Sequence, residues 1–447
     1  MGAGPAQTGA WTVTGGKMQG AARGFQIKDA TGARFLIKLD GPDWPELATS
    51  AEVISTKILY AAGYHVPQNT ITTFTLDRLE LADDAEIRGD DGERPMTRRD
   101  LEELLAPYER GPDGIIRGMA SEFVQGDVLG PFSFQGTRDG DANDRVRHEQ
   151  RRELRGLRVI GSWINDADRR AANTLAVYTD ERYVKHYLID MGSTLGANAS
   201  SPHRPVHGQA YLIDQRKIVK SLFSLGAYQF PWWYYDPTPL YTAVGYFRAD
   251  VFEPGEWVPT YPNPAFEQCT ARDGYWGAKI VMSFSDADLA AIVETGQISN
   301  PEAEAHLLDL LQKRRDKIGR YWFDKVNPLD RFSVTAGTAG PPQLRFEDLA
   351  VKGDLEPASA RHYSYRMYLD EALLGSSHST TNTQFPLALD GTPLGPLLDS
   401  RGRTAPHERV IRIVLRTRQE EDLSRRTEVF VHVPTTGPPR VVGLRRH

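Results

Sequence analysis

The stretch from Leu154 to Gly192 limits the possible folds more than any other part of the chain. Leu154, Leu157, Ile160 and Ile164 recur at helical spacing and run into a polar loop, Asn165-Asp166-Ala167-Asp168-Arg169-Arg170-Ala171-Ala172-Asn173. An apolar strand follows, and then a second acidic turn at Leu188-Ile189-Asp190-Met191-Gly192. Any fold that hosts this segment must bring a helix end, a strand and two carboxylate-bearing loops together. At 447 residues the chain is also too long for one ordinary core, so two or three are expected.

Upstream, Gly24 to Asp29 and Arg34 to Leu39 flank Ala30-Thr31-Gly32-Ala33, the pattern of a β-hairpin. Glu46 to Tyr60 carries Val53, Ile54, Ile58 and Leu59 on one stripe and has Gly63 just past its end, which predicts a helix. Thr70 to Leu76 and Ile115 to Val124 read as strands, and the charged stretch 83–114 between them as an inserted loop with one short helix. A long helix is expected from Asn143 to Trp163, with its arginines on a solvated face.

After Thr194 the chain is rich in Gly, Pro and aromatics, including Phe230 to Tyr235, and helices are expected again at Asp286 to Val293 and Pro301 to Phe323. Ser333 to Pro342 has the composition of a linker. Beyond it, Tyr363 to Tyr368, Val410 to Arg416 and Thr427 to Val433 alternate like the strands of a small sandwich.

Composition removes several classes of function. With 59 Asp plus Glu against 53 Lys plus Arg, the net charge of -6 lacks the basic excess that nucleic acid rewards. The one cysteine, Cys269, rules out an internal disulfide framework and a cysteine-based zinc cage, and a small buried apolar role is expected for it. No apolar run reaches the roughly 18 residues that span a bilayer, so no transmembrane segment is expected. The start has neither the basic nor the apolar region of a signal peptide, and Ala6 stands where myristoylation wants Ser or Thr. A cytoplasmic location is therefore expected, with an exported mature form left open.

Phosphoryl transfer needs a carboxylate near the attacking hydroxyl and oxygen ligands for magnesium ions that bridge the nucleotide phosphates. Asp168, Asn173 and Asp190 are candidates for those parts. Asp168-Arg169 followed by Asn173 resembles the Asp-Arg-x-x-x-Asn catalytic loop of the phosphatidylinositol-kinase-like and HipA-like atypical kinases, and Asp190-Met191-Gly192 is similar to their Asp-Phe-Gly. The resemblance implies that Asp168 positions or deprotonates the acceptor hydroxyl while Asn173 and Asp190 hold magnesium, with manganese as a substitute. It further implies a strand lysine clamped by a helix glutamate, for which Lys38 and Glu52 stand in the required order, with Glu46 as a weaker partner. It also implies a glycine turn over the phosphates within Gly15 to Gly24, including Gly20, and a hinge at Glu122-Phe123-Val124 whose main chain bonds adenine. This is not a Walker loop, because Met18 follows Gly16-Lys17 where Ser or Thr belongs.

Singly, each residue has an ordinary reading: Lys38 and Glu52 as a surface ion pair, Asp168 and Asn173 as turn formers, Asp190 as a cap. Their joint order favours an α+β, bilobal protein-kinase-like fold. Its β-rich N-lobe is expected over 1–125, its helical C-lobe over 126–332, a linker over 333–343 and a C-terminal all-β sandwich over 344–447. The expected function is ATP- and magnesium-dependent phosphotransfer to an unidentified hydroxyl on a protein, lipid head group or small molecule. The alternatives are a nucleotide-binding pseudokinase scaffold and an AMP-transferring enzyme on the same fold. The β domain offers a surface for a protein partner.

Overall fold

Apolar residues at every second position, Trp11 and Val13, Phe25 and Ile27, Phe35 and Ile37, demand a sheet with one buried face, and the computed structural model has it. The structure describes residues 2–17, 23–89, 92–108, 113–224, 228–335, 340–401, 405–417 and 425–447. Contacts divide the chain into two units, Met1–Cys269 with Ser283–Arg315, and Thr270–Met282 with Asp316–His447.

In the first unit, β1 (Trp11–Lys17), β2 (Gly24–Lys28) and β3 (Arg34–Lys38) precede helix α1 (Leu47–Ala61). β4 (Asn69–Phe74), β5 (Leu79–Gly89), β6 (Gly92–Pro95), α2 (Arg98–Leu105) and β7 (Ile116–Glu122) follow. The seven strands form one sheet, ordered β4-β7-β3-β2-β1-β5-β6, in which only β1 and β5 pair in parallel.

The stretch 83–114 holds the one short helix expected there, but the rest of what is described is not the inserted loop its charge suggested. β5 and β6 extend the sheet, and α2, closed by a Thr97–Asp100 capping box, sinks Leu101, Leu104 and Leu105 into the sheet core. Ala85 and Ile87 are buried between exposed Asp84, Glu86 and Arg88, so a two-residue period was hidden under a high density of charge.

Helix α1 ends in a Schellman turn, with Gly63 at φ 95° and Tyr64 N–H donating to Leu59 O. Its start is unusual. Glu46 precedes it at φ 67° without a side-chain cap of its own. Asp40 does the capping instead: Oδ1 accepts from Ala48 and Thr49 N–H (2.8 and 2.9 Å), and Oδ2 from Glu46 N–H (3.0 Å) and the Thr49 hydroxyl (2.7 Å). Arg117 of β7 pairs with the same carboxylate.

β8 (Asp127–Gly130), α3 (Arg152–Ile164), β9 (Thr174–Tyr178) and β10 (Val184–Leu188) come next, and the three strands form a sheet ordered β10-β9-β8. α3 begins at Arg152, not Asn143, because Asp144 builds a competing loop: it accepts from Arg138 N–H at 2.6 Å and pairs with His148 and Arg151. At its other end α3 stops on Asn165, left-handed at φ 53°, and buried Arg314 donates to the freed carbonyls of Ser162 and Trp163.

A short pair, β11 (Ala197–Asn198) and β12 (Ser201–Pro202), leads to α4 (Gln215–Phe223) and α5 (Pro264–Glu267). Phe230 and Trp232 stack at 4.8 Å, whereas Trp233 and Tyr234 are exposed. α7 (Asp286–Glu294) and α8 (Pro301–Lys325) match the expected helices.

The second unit adds α6 (Ala271–Val281), not foreseen because Gly274 and Gly277 weaken its helix signal. Gly274 is needed there, since a Cβ would come within 2.1 Å of the Trp322 ring. Next come β13 (Leu329–Thr335), β14 (Gln343–Asp348), α9 (Leu349–Lys352), β15 (Tyr363–Leu369), β16 (Ala372–Thr380) and β17 (Gln384–Pro386). β18 (Ala388–Leu389), β19 (Thr392–Pro393), α10 (Leu394–Ser400), β20 (Val410–Thr417), β21 (Thr427–His432) and β22 (Arg440–Arg446) complete it. An antiparallel sheet ordered β16-β15-β20-β21-β22 and another ordered β13-β14-β17 both send side chains into one core, among them Leu344, Phe385, Met367, Ile413 and Val429.

The expected linker at 333–343 is instead the connection of the antiparallel β13–β14 pair, part of it (336–339) outside the described residues. Both strands belong to the second unit, and the division falls at Arg315 and Asp316. Gly, Pro, Ala and Thr suit a hairpin connection as well as a linker. Cys269, expected to be buried, is half-buried.

His203 and His207 lie between β12 and α4 with their rings stacked at 4.6 Å. Trp257 Nε1 donates to Asn165 Oδ1 (2.8 Å), which turns Asn165 Nδ2 toward His203 Nδ1 (3.1 Å) and requires a neutral His203 protonated at Nε2. That Nε2 is buried without a hydrogen-bond partner, and burial holds the His203 pKa well below its ordinary value and that of His207 below its own.

Two outcomes are expected. Asp40→Ala will destabilise the chain by about 1–3 kcal/mol in urea unfolding, because it removes the buried carboxylate that caps α1 and one of the partners of half-buried Arg117. Because the unfolded chain binds the His203 and His207 protons more readily, their contribution is complete above about pH 6.5 and is lost as pH falls below it, by at most ~1.4 kcal/mol per unit and histidine. The urea midpoint will therefore drop between pH 7.5 and 5.5, and His203→Gln will flatten that drop.

Candidate active site

Lys38 is the last residue of β3, on the face opposite Phe35 and Ile37. Its ammonium donates to both oxygens of Glu52 on α1, at 2.8 and 3.0 Å, and to Asp190 Oδ1 at 2.9 Å. Glu52 is buried and Lys38 nearly so, while the Asp190 side chain is about half exposed (53 %). Burial works against the ammonium, but the Glu52 and Asp190 carboxylates outweigh it and raise its pKa, so Lys38 is a fixed cation.

The elements around this group are locked. Met191 N–H donates to the Glu52 carboxylate, Ser55 and Thr194 share a hydroxyl bond of 2.6 Å, and Thr194 Oγ1 donates to Met191 O at 2.8 Å. Asn69 of β4 donates to Thr56 of α1 at 3.0 Å. Asp190 itself is left-handed at φ 58°, which turns its carboxylate back toward Lys38.

Asp168 and Asn173 form the second half. Asn173 Nδ2 donates to Asp168 O (2.7 Å) and Oδ2 (2.9 Å), so its amide oxygen faces the other way. Arg170 Nε pairs with Asp168 Oδ1 at 3.1 Å and its guanidinium lies over the Tyr261 ring. Arg169 is fully buried and joins the two halves: it pairs with Asp166 Oδ2 (2.7 Å) and donates to Asn173 O (2.5 Å), Ile189 O (3.0 Å) and Met191 Sδ (2.8 Å). Neither the reach of Arg169 to both loops nor the Ser55–Thr194 clamp had a signal.

The other expected residues are placed as follows. Glu46 is not a partner of Lys38; its carboxylate accepts from Ser299 N–H (2.9 Å) and Oγ (3.1 Å). Gly20 lies outside the described residues. Gly24 pairs with Lys38 across β2 and β3, and a Cβ there would come within 2.3 Å of Ile37 O, so glycine lets the strands close tightly. Glu122 ends β7, and Phe123 and Val124 follow it. These three line a cavity of about 750 Å³ with Tyr60, His65, Tyr183 and Tyr187, whose walls do not include Lys38, Asp168 or Asp190. Among the described residues no three His, Cys, Asp or Glu side chains converge to hold a metal, and no helix is long and apolar enough to cross a membrane.

No family model matches the chain, and no curated protein matches it. Among solved structures it is similar to a Helicobacter pylori proinflammatory kinase, CtkA, at 10 % identity over 72 % of this chain and 94 % of that one, with a TM-score of 0.34. It is similar to the Golgi casein kinase at 10 % identity over 71 % and 74 % of the two chains, TM-score 0.33, and to that kinase with Mn and ADP bound at 9 % over 70 % and 73 %, TM-score 0.33.

Proposed function

We propose that the first unit is an atypical protein-kinase-like phosphotransferase of the HipA-like and phosphatidylinositol-kinase-like kind, dependent on ATP and magnesium. The observation that carries the reading is a buried ammonium, Lys38, held by Glu52 and touching Asp190, beside a loop on which Asn173 holds Asp168. Residues of four types that phosphoryl transfer needs come together from four separate segments, β3, α1, the Asp168–Asn173 loop and the Asp190 turn, which a surface ion pair does not require.

In this reading Lys38 aims its charge at the nucleotide phosphates and Glu52 keeps it aimed. Asp190 offers a half-exposed carboxylate and Asn173 an amide oxygen, a donor set that fits magnesium or manganese completed by phosphate oxygens rather than by a protein cage. Bound metal would neutralise charge on the phosphates. Asp168 orients the acceptor hydroxyl and takes its proton, and Arg170, paired with Asp168, helps to hold its carboxylate in place. Glu122 to Val124 are assigned to the adenine edge, and Gly20 to the phosphate-covering turn. The acceptor is a hydroxyl on a protein, a lipid head group or a small molecule, and the setting is cytoplasmic.

Asp190→Asn is the informative variant, because Asn tolerates the left-handed backbone that would penalise Ala. Thermal unfolding with ATP and magnesium together will show a stabilisation, about 2.7 kcal/mol at a hundredfold excess over Kd, that vanishes in Asp190→Asn. Turnover will fall by about a hundredfold or more in the same variant. Product mass distinguishes phosphate from AMP transfer, and a shift without turnover identifies a binder. No nucleotide shift at all sinks the assignment.

A further inference from the structure

The five-stranded sheet of the second unit has one face in the core and one turned outward, and the outward face is an arginine surface. Tyr363, Tyr365, Met367, Ile411, Ile413, Leu415, Val429 and Val431 point into the core. The alternate positions, in register across β15, β20, β21 and β22, read Arg366–Val414–Glu428–Arg445 and, one step along, Tyr368–Arg412–Phe430–Gly443. Ser364 faces Arg416 on the next row.

Val414 and Glu428 belong to this outward face, yet both are buried. The long arginine side chains converge on Glu428. Arg412 stacks on Tyr368 at 4.7 Å and Arg445 on Phe430 at 5.7 Å, as arginine stems and planes do on apolar surface. Glu428 has Arg426 Nε at 3.2 Å, His447 Nε2 at 3.3 Å, Arg412 Nη1 at 3.5 Å and Arg445 Nη1 at 3.6 Å. Three guanidinium groups thus surround one carboxylate, and the excess of positive charge remains on the face. Arg366 adds an exposed cation, and Arg416 Nε is buried with no hydrogen-bond partner. Glu371, which accepts from Arg412 at 3.3 Å, is a fully exposed residue beside β16.

We infer that this face is the docking site for an acidic segment of a partner protein, carried by carboxylates that pair with Arg366, Arg412, Arg416 and Arg445. Charge complementarity selects the partner: guanidinium forks take carboxylates bidentately, and a sheet face presents them on neighbouring strands about 4.8 Å apart. Single-stranded nucleic acid is the lesser fit, because the Tyr368 and Phe430 faces on which bases would stack are already covered by arginine, and the chain as a whole carries -6. The inference stands independently of the transferase reading.

The test is fluorescence anisotropy on the full chain with a labelled glutamate-only peptide of about eight residues, long enough when extended to cross the sheet. A lysine-only peptide and a single-stranded RNA serve as rivals. Binding of the glutamate peptide that weakens as salt rises, and that drops by about tenfold or more in Arg366→Glu/Arg445→Glu, is the expected result. Arg366→Gln/Arg445→Gln gives the same direction with a smaller loss and serves where charge reversal perturbs folding, checked by circular dichroism. The inference fails if the glutamate peptide does not bind at low salt, if both variants bind it unchanged, or if RNA binds more tightly.

Discussion

One ammonium group, Lys38 Nζ, has to be in the right place before the rest of the first unit makes sense. A cation taken from water is costly unless carboxylates meet it at hydrogen-bond distance, and breaking such a pair costs about 3–5 kcal/mol. Lys38 meets two, from elements far apart in sequence: Glu52 on α1 and Asp190 after β10. Strand, helix and loop are therefore fixed to one another by charge, and the fixing is only as good as the placement of α1. That placement comes from Asp40, whose carboxylate gathers the first turn of α1, and from Arg117, which binds Asp40 and also donates to Gly296 O at 2.8 Å.

Arg169 plays the matching part for the two polar loops. It is buried, yet four acceptors meet it: the Asp166 carboxylate, two carbonyls and a thioether sulfur. Met191 is a reasonable choice at this position, since its sulfur accepts from a guanidinium while its stem packs. A fork with several donors in one plane can hold two backbones at once, which an ammonium cannot do. The Asp168 loop and the Asp190 turn thus behave as one body, and Lys38 contacts that body through Asp190.

Much of this was legible where chemistry and period coincide. The β2–β3 hairpin, α1 and the late helices follow from apolar spacing, and Lys38, Glu52, Asp168, Asn173 and Asp190 stood out because residue type and order matched a known pattern. What failed did so for identifiable reasons. Charge hid the alternation of β5, glycines that admit a tryptophan hid α6, and an aspartate-built loop delayed the start of α3. The Ser333 to Pro342 segment misled because local composition does not say whether the flanking strands pair with each other. Contacts of Arg169 and Thr194 depend on residues distant in sequence and carry no local signature.

The contact between Lys38 and Asp190 also has a consequence for how the proposed site would work. In the structure the ammonium divides its attention between Glu52, which is buried, and Asp190, whose side chain is half exposed. Water and screening weaken the second contact far more than the first. A polyphosphate arriving with a cation would therefore displace Asp190 from Lys38 rather than Glu52, because Asp190 exchanges an exposed ion pair for a metal, whereas Glu52 would be left buried and unpaired. The left-handed backbone at Asp190 and the Arg169 strut leave the carboxylate little else to move but its own side-chain torsions. Preorganisation then resides in Glu52 and Lys38, and adaptability in Asp190, a division of labour that follows from burial alone.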